Sequence, residues 1–350
     1  MKDGIKNGCR EKSFSLTFST KLLFSLNSSP VRGTLTLLLL PALFFSCSGA
    51  YQDIEDHEIT LCLKSDEDTF CMDIFTFNDD KAMFLDSYQR ITGDDEIMIR
   101  SQSGKKVIFV CANMDADRYD WAGISSMASL EKIYSDIKNE KREYPVMTGT
   151  AYTSAGSGKQ CMIVLNRIAS EIRLNSICCD FSGTVYQDKK VKNVKVYLTN
   201  VNTRCSITAE EDVRATEIMN AGGLNKEDLQ ELKEDDIIYQ TIESDIGTER
   251  IYPEISLLCY PNTSREEGPG TPFTKIVIEG QIDGKTYWWP IDINRDERGQ
   301  SIVRNCSYVY DLTIRRKGSE NPEIPVETDD MTIDMKITQW NEKEEYQVGF

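Results

Sequence analysis

A mainly β protein of two sandwich domains with a few short helices is what this sequence predicts, on three observations. Short runs that alternate apolar with polar, or are rich in β-branched and aromatic residues, recur along most of its length. Turn-forming breaks such as Asp283-Gly284 separate them, and few segments keep a helical period. The chain has 350 residues, 40% of them apolar, 28% charged and 9% aromatic. At about 100–200 residues per domain, that composition allows two or three domains with sizeable cores and excludes wholesale disorder.

In chain order, strands are expected at Ile59–Leu63, Phe70–Phe77, Glu96–Arg100 and Lys106–Ala112. Leu130, Ile133, Tyr134 and Ile137 fall at helical spacing and predict one amphipathic helix over Ser126–Lys141. The small-residue stretch Thr153–Lys159 reads as a linker, so the boundary between the two domains is placed there: residues 47–155 and 156–350. Strands resume at Gln160–Leu165, Arg167–Ile177, Asn193–Leu198 and Arg204–Ile207. Glu210–Asn220 and Asn225–Lys233 have helical composition, with Ala221-Gly222-Gly223 as a stop and Asn225 as an N-cap, inside an insertion near 208–250. Strands return at Glu254–Tyr260, at Phe273–Ile282 turned by Asp-Gly into Thr286–Ile293, and at Ser307–Arg315. Finally Met331–Ile337 alternates without a lapse, so Met331, Ile333, Met335 and Ile337 share one face that requires a host sheet.

Charge and residue usage narrow the function. Forty basic against 57 acidic residues give a net −17, a field that repels nucleic-acid phosphates. A single histidine, His57, removes Ser-His-Asp catalysis unless His57 itself serves in it, and removes His-rich metal sites. No spacing of acidic residues picks out a catalytic pair, and Thr153–Gln160 lacks the first glycine and the hydroxyl residue of a phosphate-binding loop. No catalytic residue, metal site or cofactor is expected. Beyond Cys9 and Cys47 there are nine cysteines, an odd number without C-x-x-C spacing, which read as small buried apolar residues. Tyr287-Trp288-Trp289 could present Trp288 and Trp289 as a ligand platform. Alternation splits them between two faces, however, so at least one ring belongs to the core.

The first 46 residues read as an address. Gly33–Ser46 is 14 residues without a charge, too short for the roughly 20 that cross a bilayer, and matches the apolar core of a signal peptide. Residues 1–30 form an N-terminal extension, consistent with a start codon placed too early. Ser46-Cys47 ends a relaxed lipobox, so Cys47 is the expected site of lipidation; a plain secretory signal cut elsewhere is the alternative. Without residues 1–46 and their six basic and two acidic side chains, the remainder carries 34 basic against 55 acidic, a net −21.

FCMDIFTFNDD (70–80), GKKVIFVCAN (104–113), YPVMTG (144–149), LNRIASEIRL (165–174), VKVYLTNV (194–201), IVIEGQIDGKTYWWPI (276–291) and the run from Ile302 to Glu327 followed by Trp340 stand in an order and spacing of their own. Together these segments resemble the fimbrillins, exported lipoprotein subunits of type V pili in Bacteroidales-type bacteria. The resemblance implies transthyretin-like sandwiches, a lipid anchor at the outer membrane, and other pilus subunits as partners. It also implies loss of the first strand, Ile59, Leu61 and Leu63, and filling of its groove by a neighbour's donor strand, here Met331, Ile333, Met335 and Ile337. That account expects the tail to be free of its own sheet. One departure is plain: no arginine follows Cys47 before Arg90, so Lys64 is the candidate processing residue. A monomeric or anchor-type lipoprotein gripping a glycan or protein is the alternative.

Overall fold

The computed structural model describes residues 56–65, 69–92, 97–115, 118–156, 159–209, 213–215, 217–234, 236–268, 270–295, 301–327 and 329–340. Cys47 and the address segment lie outside them. The first stretch of chain forms β1 (Asp56–Lys64), β2 (Cys71–Asn78), β3 (Leu85–Thr92), β4 (Ile97–Gln102), β5 (Gly104–Ala112), α1 (Met127–Leu130), β6 (Tyr134–Asp136), β7 (Met147–Ala155), β8 (Lys159–Val164) and β9 (Asn166–Arg167). These make a five-stranded sheet, β3-β2-β5-β7-β9, and a three-stranded sheet, β4-β1-β8. β2 is buried along nearly its whole length, Asp73 and Thr76 included, and β5 from Lys106 onward, because both faces are covered. Met72, Ile74, Ile108 and Val110 pack toward the three-stranded sheet, while Phe75, Phe77, Val107 and Phe109 belong to a second core that continues into the rest of the chain.

That remainder forms β10 (Ser170–Cys179), β11 (Lys192–Thr199), β12 (Val201–Asn202), β13 (Arg204–Ser206), β14 (Ile218–Met219), α2 (Lys226–Gln230), β15 (Tyr239–Ile242), β16 (Ile255–Cys259), β17 (Lys275–Ile282), β18 (Lys285–Asp292), β19 (Cys306–Ile314) and β20 (Met331–Gln339). Two four-stranded sheets result, β16-β10-β19-β20 and β15-β11-β17-β18. They share one core, with Ile172, Leu174, Tyr308, Tyr310 and Leu312 from the first and Val196, Leu198, Ile276, Ile278 and Trp289 from the second. The architecture is that of a β-sandwich. Asp283 and Gly284, both at positive φ (53° and 79°), turn β17 into β18, the backbone that a two-residue hairpin of this hand demands. Pro290, which cannot donate, sits in β18 at the sheet's edge.

Three expectations need correction. Ser126–Lys141 is not a helix: α1 lasts one turn, and Tyr134–Asp136 becomes β6 because it pairs with β13, with Ile137 N–H donating to Thr203 O (2.8 Å). A tertiary strand partner outweighs the helical spacing there, and Tyr134 points outward rather than joining Leu130 and Ile137 in the core. Within Glu210–Asn220, Ile218–Met219 is β14, paired to β12, while part of that segment lies outside the described residues. The stretch Thr153–Lys159 is shared between two strands, since β7 runs to Ala155 and β8 starts at Lys159. By contrast, α2 starts where expected, with the Asn225 side chain accepting from Glu227 N–H (3.0 Å). The polar strands β3 and β7 were not expected at all.

Candidate functional site

Strand β1 occupies the middle of its sheet, antiparallel to β4 and parallel to β8. Alternation sends Ile59 and Leu61 inward, fully buried against Ile74, Ile108, Val110 and Met147, with Leu63 packed at the end of the same row. Removing β1 would leave a groove with an unpaired ladder on each side and an apolar floor. Lys64 closes the strand: its side chain is exposed, while its carbonyl accepts from Leu165 N–H (3.0 Å). Cleavage after Lys64 therefore requires that bond to open first.

Strand β20 is nine residues long, the same length as β1. Against the expectation of a free tail, it closes its own sheet, antiparallel to β19 over the full register from Cys306↔Gln339 to Ile314↔Met331. Among the described residues it is held along one edge only. Of its four aligned apolar side chains Met331 is buried and Met335 half-buried, while Ile333 is 37% and Ile337 40% exposed. An exposed strand edge with uncovered apolar side chains is a template for pairing with another chain.

The structure does not present Trp288 and Trp289 together. Trp289 is wholly buried, its indole N–H donating to Arg316 O (3.1 Å), so it is corrected to a core residue. Trp288 remains half-exposed, donating to Glu279 Oε2 (3.1 Å), and Lys195 also holds Glu279 (2.6 Å). His57 lies in β1. The cysteines are mostly buried, and burial pushes the thiols of Cys179 and Cys259 up to about 12. Cys62, in β1, is exposed.

One titratable network carried no signal in the sequence. The Glu140 carboxyl is fully buried, and that burial pushes it up to about 7 even though Val146 N–H and Tyr260 OH both donate to it at 2.8 Å. Tyr260 follows β16, whereas Glu140 follows β6, so the bond ties distant parts of the chain together. Among the described residues no cluster of His, Cys, Asp and Glu could hold a metal ion, and no helix is long and apolar enough to cross a membrane.

No family model and no curated protein matches the chain. Solved structures do. A candidate cell adhesion protein from Bacteroides eggerthii DSM 20697 superposes with a TM-score of 0.63 at 16% identity, covering 82% of this chain and 96% of that one. The fimbrilin FimA of Porphyromonas gingivalis W83 gives 0.59 at 16% identity, covering 82% and 98%. The fold is that of the fimbrillins. The tip fimbrial protein Mfa3 from Porphyromonas gingivalis, solved with a C-terminal truncation, gives 0.50 at 11% identity, covering 82% and 100%. A fimbrillin-like fold at such low identity rests on the arrangement of strands rather than on shared side chains, so site residues are argued from this chain's own geometry.

Proposed function

We propose that this chain is a non-enzymatic structural subunit of a cell-surface pilus, exported as a lipoprotein acylated at Cys47 and anchored at the outer membrane before assembly. The chain up to β9 and the chain from β10 onward act as two sandwich domains, β8 and β9 completing the sheets of the first. Subunits join by strand exchange: β1 leaves after cleavage at or near Lys64, and β20 of a neighbour, its Met331, Ile333, Met335 and Ile337 facing inward, takes its place. The assembled fibre supports adhesion to a host or bacterial surface.

The observation that carries this reading is the match between the two strands. Both span nine residues, both bring apolar side chains to one face at every second position, and that face is fully covered in β1 at Ile59 and Leu61 but only partly in β20. Deleting Met331–Phe350 tests it. The full chain should give a ladder of SDS-resistant oligomers and the shortened chain none; a ladder that survives the deletion refutes exchange through β20.

The docked state of β20, together with the lack of arginine between Cys47 and Arg90, favours a second reading. In it the chain stays uncut as an anchor-type or monomeric surface lipoprotein that binds a glycan or protein. The N-terminus of the surface-extracted protein separates the two: acylated Cys47 alone supports the anchor, and a start near Ser65 supports the polymerising subunit.

A further inference from the structure

At one end of β2 and β5 a cavity of about 380 Å³ opens between the Phe70 turn and the Lys141–Val146 segment. Its size falls within the range of small-molecule sites, about 300–1,000 Å³. Two aromatic rings form one side: Phe70, 66% exposed, lies against Tyr144 with centroids 6.1 Å apart, and Tyr119 lines the cavity as a third ring.

These walls are fixed in place. Asn113, at a left-handed φ of 67°, accepts from Phe70 N–H (2.7 Å) through its side-chain oxygen and donates through its side-chain nitrogen to Pro145 O (2.8 Å). One residue thus clamps both aromatic walls, an arrangement that lowers the ordering cost of a ligand.

The charge around the cavity runs against the rest of the chain. Arg90, Arg118, Lys141 and Lys233 line it, with Asp115 the one acidic lining residue among those described, in a protein of net −17. Arg90 is already committed to Asp73 (3.1 Å) and Met114 O (2.8 Å), and Arg118 bonds Asp115 (3.2 Å). Lys141 and Lys233 have no carboxylate within ion-pair distance among the described residues, and both are exposed. Unpaired ammonium groups beside the exposed Phe70 ring and the half-buried Tyr144 suit a ligand with both an apolar face and a negative charge.

We propose that this cavity binds an acidic saccharide, with a sugar ring packed on Phe70 and Tyr144 and its carboxylate held by Lys141 and Lys233. Aromatic walls favour a pyranose, whose C–H face is flat and apolar, over an acidic peptide, which would need only the cations. The net negative field elsewhere repels such a ligand, so the local cations also decide where it lands. This site stands whether or not the chain polymerises, since none of its residues lies in β1 or β20.

The test is isothermal titration of the full exported chain with trigalacturonic acid, with neutral galactotriose and hexaglutamate as comparisons. Trigalacturonic acid should bind at least tenfold tighter than either, and rising salt should weaken it. Lys141→Gln with Lys233→Gln should lower its affinity at least tenfold, and Phe70→Ala at least fivefold. All three side chains are exposed, so circular dichroism should show unchanged folds. No binding at millimolar ligand, equal binding of galactotriose, tighter binding of hexaglutamate, or variants that bind as well as the parent would each overturn the proposal. The same variants should still form the oligomer ladder, so failure here is distinct from failure of strand exchange.

Discussion

Truncating Ile333 and Ile337 together to alanine separates what β20 does in its own sheet from what it does in a neighbour. A fully buried side chain of this kind is worth about 1.5–3 kcal/mol. In the docked strand the two residues keep 37% and 40% of their surface in water, so each realises about three-fifths of that value. Seated in a neighbour's groove, as Ile59 and Leu61 are in this one, each would realise nearly all of it. The joint therefore loses more than the monomer by about 0.6–1.2 kcal/mol per residue, or about 1.2–2.4 kcal/mol for the pair. That corresponds to a roughly 8- to 60-fold weaker joint, beyond any loss in subunit stability. The assay is the temperature at which SDS-resistant oligomers dissociate, read beside the thermal unfolding of the monomer. The oligomers should fall apart at a markedly lower temperature, while monomer unfolding shifts less. Equal shifts, or an unchanged ladder above a destabilised monomer, would refute the reasoning, because β20 would then gain nothing by leaving its own sheet.

Three further outcomes follow from the packing. Glu140 is ordinarily a carboxyl near 4.5 and is raised to about 7 in the fold, so the stability it contributes is present in full below about pH 4.5 and is lost as pH rises through about 7. The loss should be about 3 kcal/mol in denaturant titrations, and Glu140→Gln should flatten that part of the pH profile. Gly149→Ala would put a Cβ 2.4 Å from Val164 O, a backbone atom that cannot swing away. It should lower stability by at least about 2 kcal/mol in urea unfolding through separation of β7 from β8, and an unchanged midpoint would contradict the close approach. Among the nine described cysteines, Cys62 should react with a maleimide in the native state far faster than Cys71, Cys111, Cys179 or Cys259, as peptide mapping would show. Its labelling should accelerate if β1 is released.

Much of the fold was legible because its signals are local. Most strands sit where alternation or β-branched runs placed them, the Asp283-Gly284 hairpin needed only its two turn residues, and Asn225 marked the start of α2. Segments whose structure depends on a distant partner were not legible. Tyr134–Asp136 has helical spacing and is a strand because Arg204–Ser206 lies beside it; Leu85–Thr92 is polar and is a strand because β2 needed an edge. At the candidate site, the periodicity of Met331–Ile337 was visible, but not which sheet would hold it. Whether Trp288 or Trp289 faced the core was also open until the opposing sheet was in place.

Composition and pattern alone determined a mainly β, acidic protein with one histidine and a regular apolar tail, because those properties belong to single residues and their immediate spacing. Only the tertiary structure decided that β1 lies between β4 and β8, that β20 is paired along one edge, and that Asn113 draws Phe70 and Pro145 together. Each of these joins residues far apart in the chain, and such pairings are chosen by the free energy of the whole packed core rather than by any local preference.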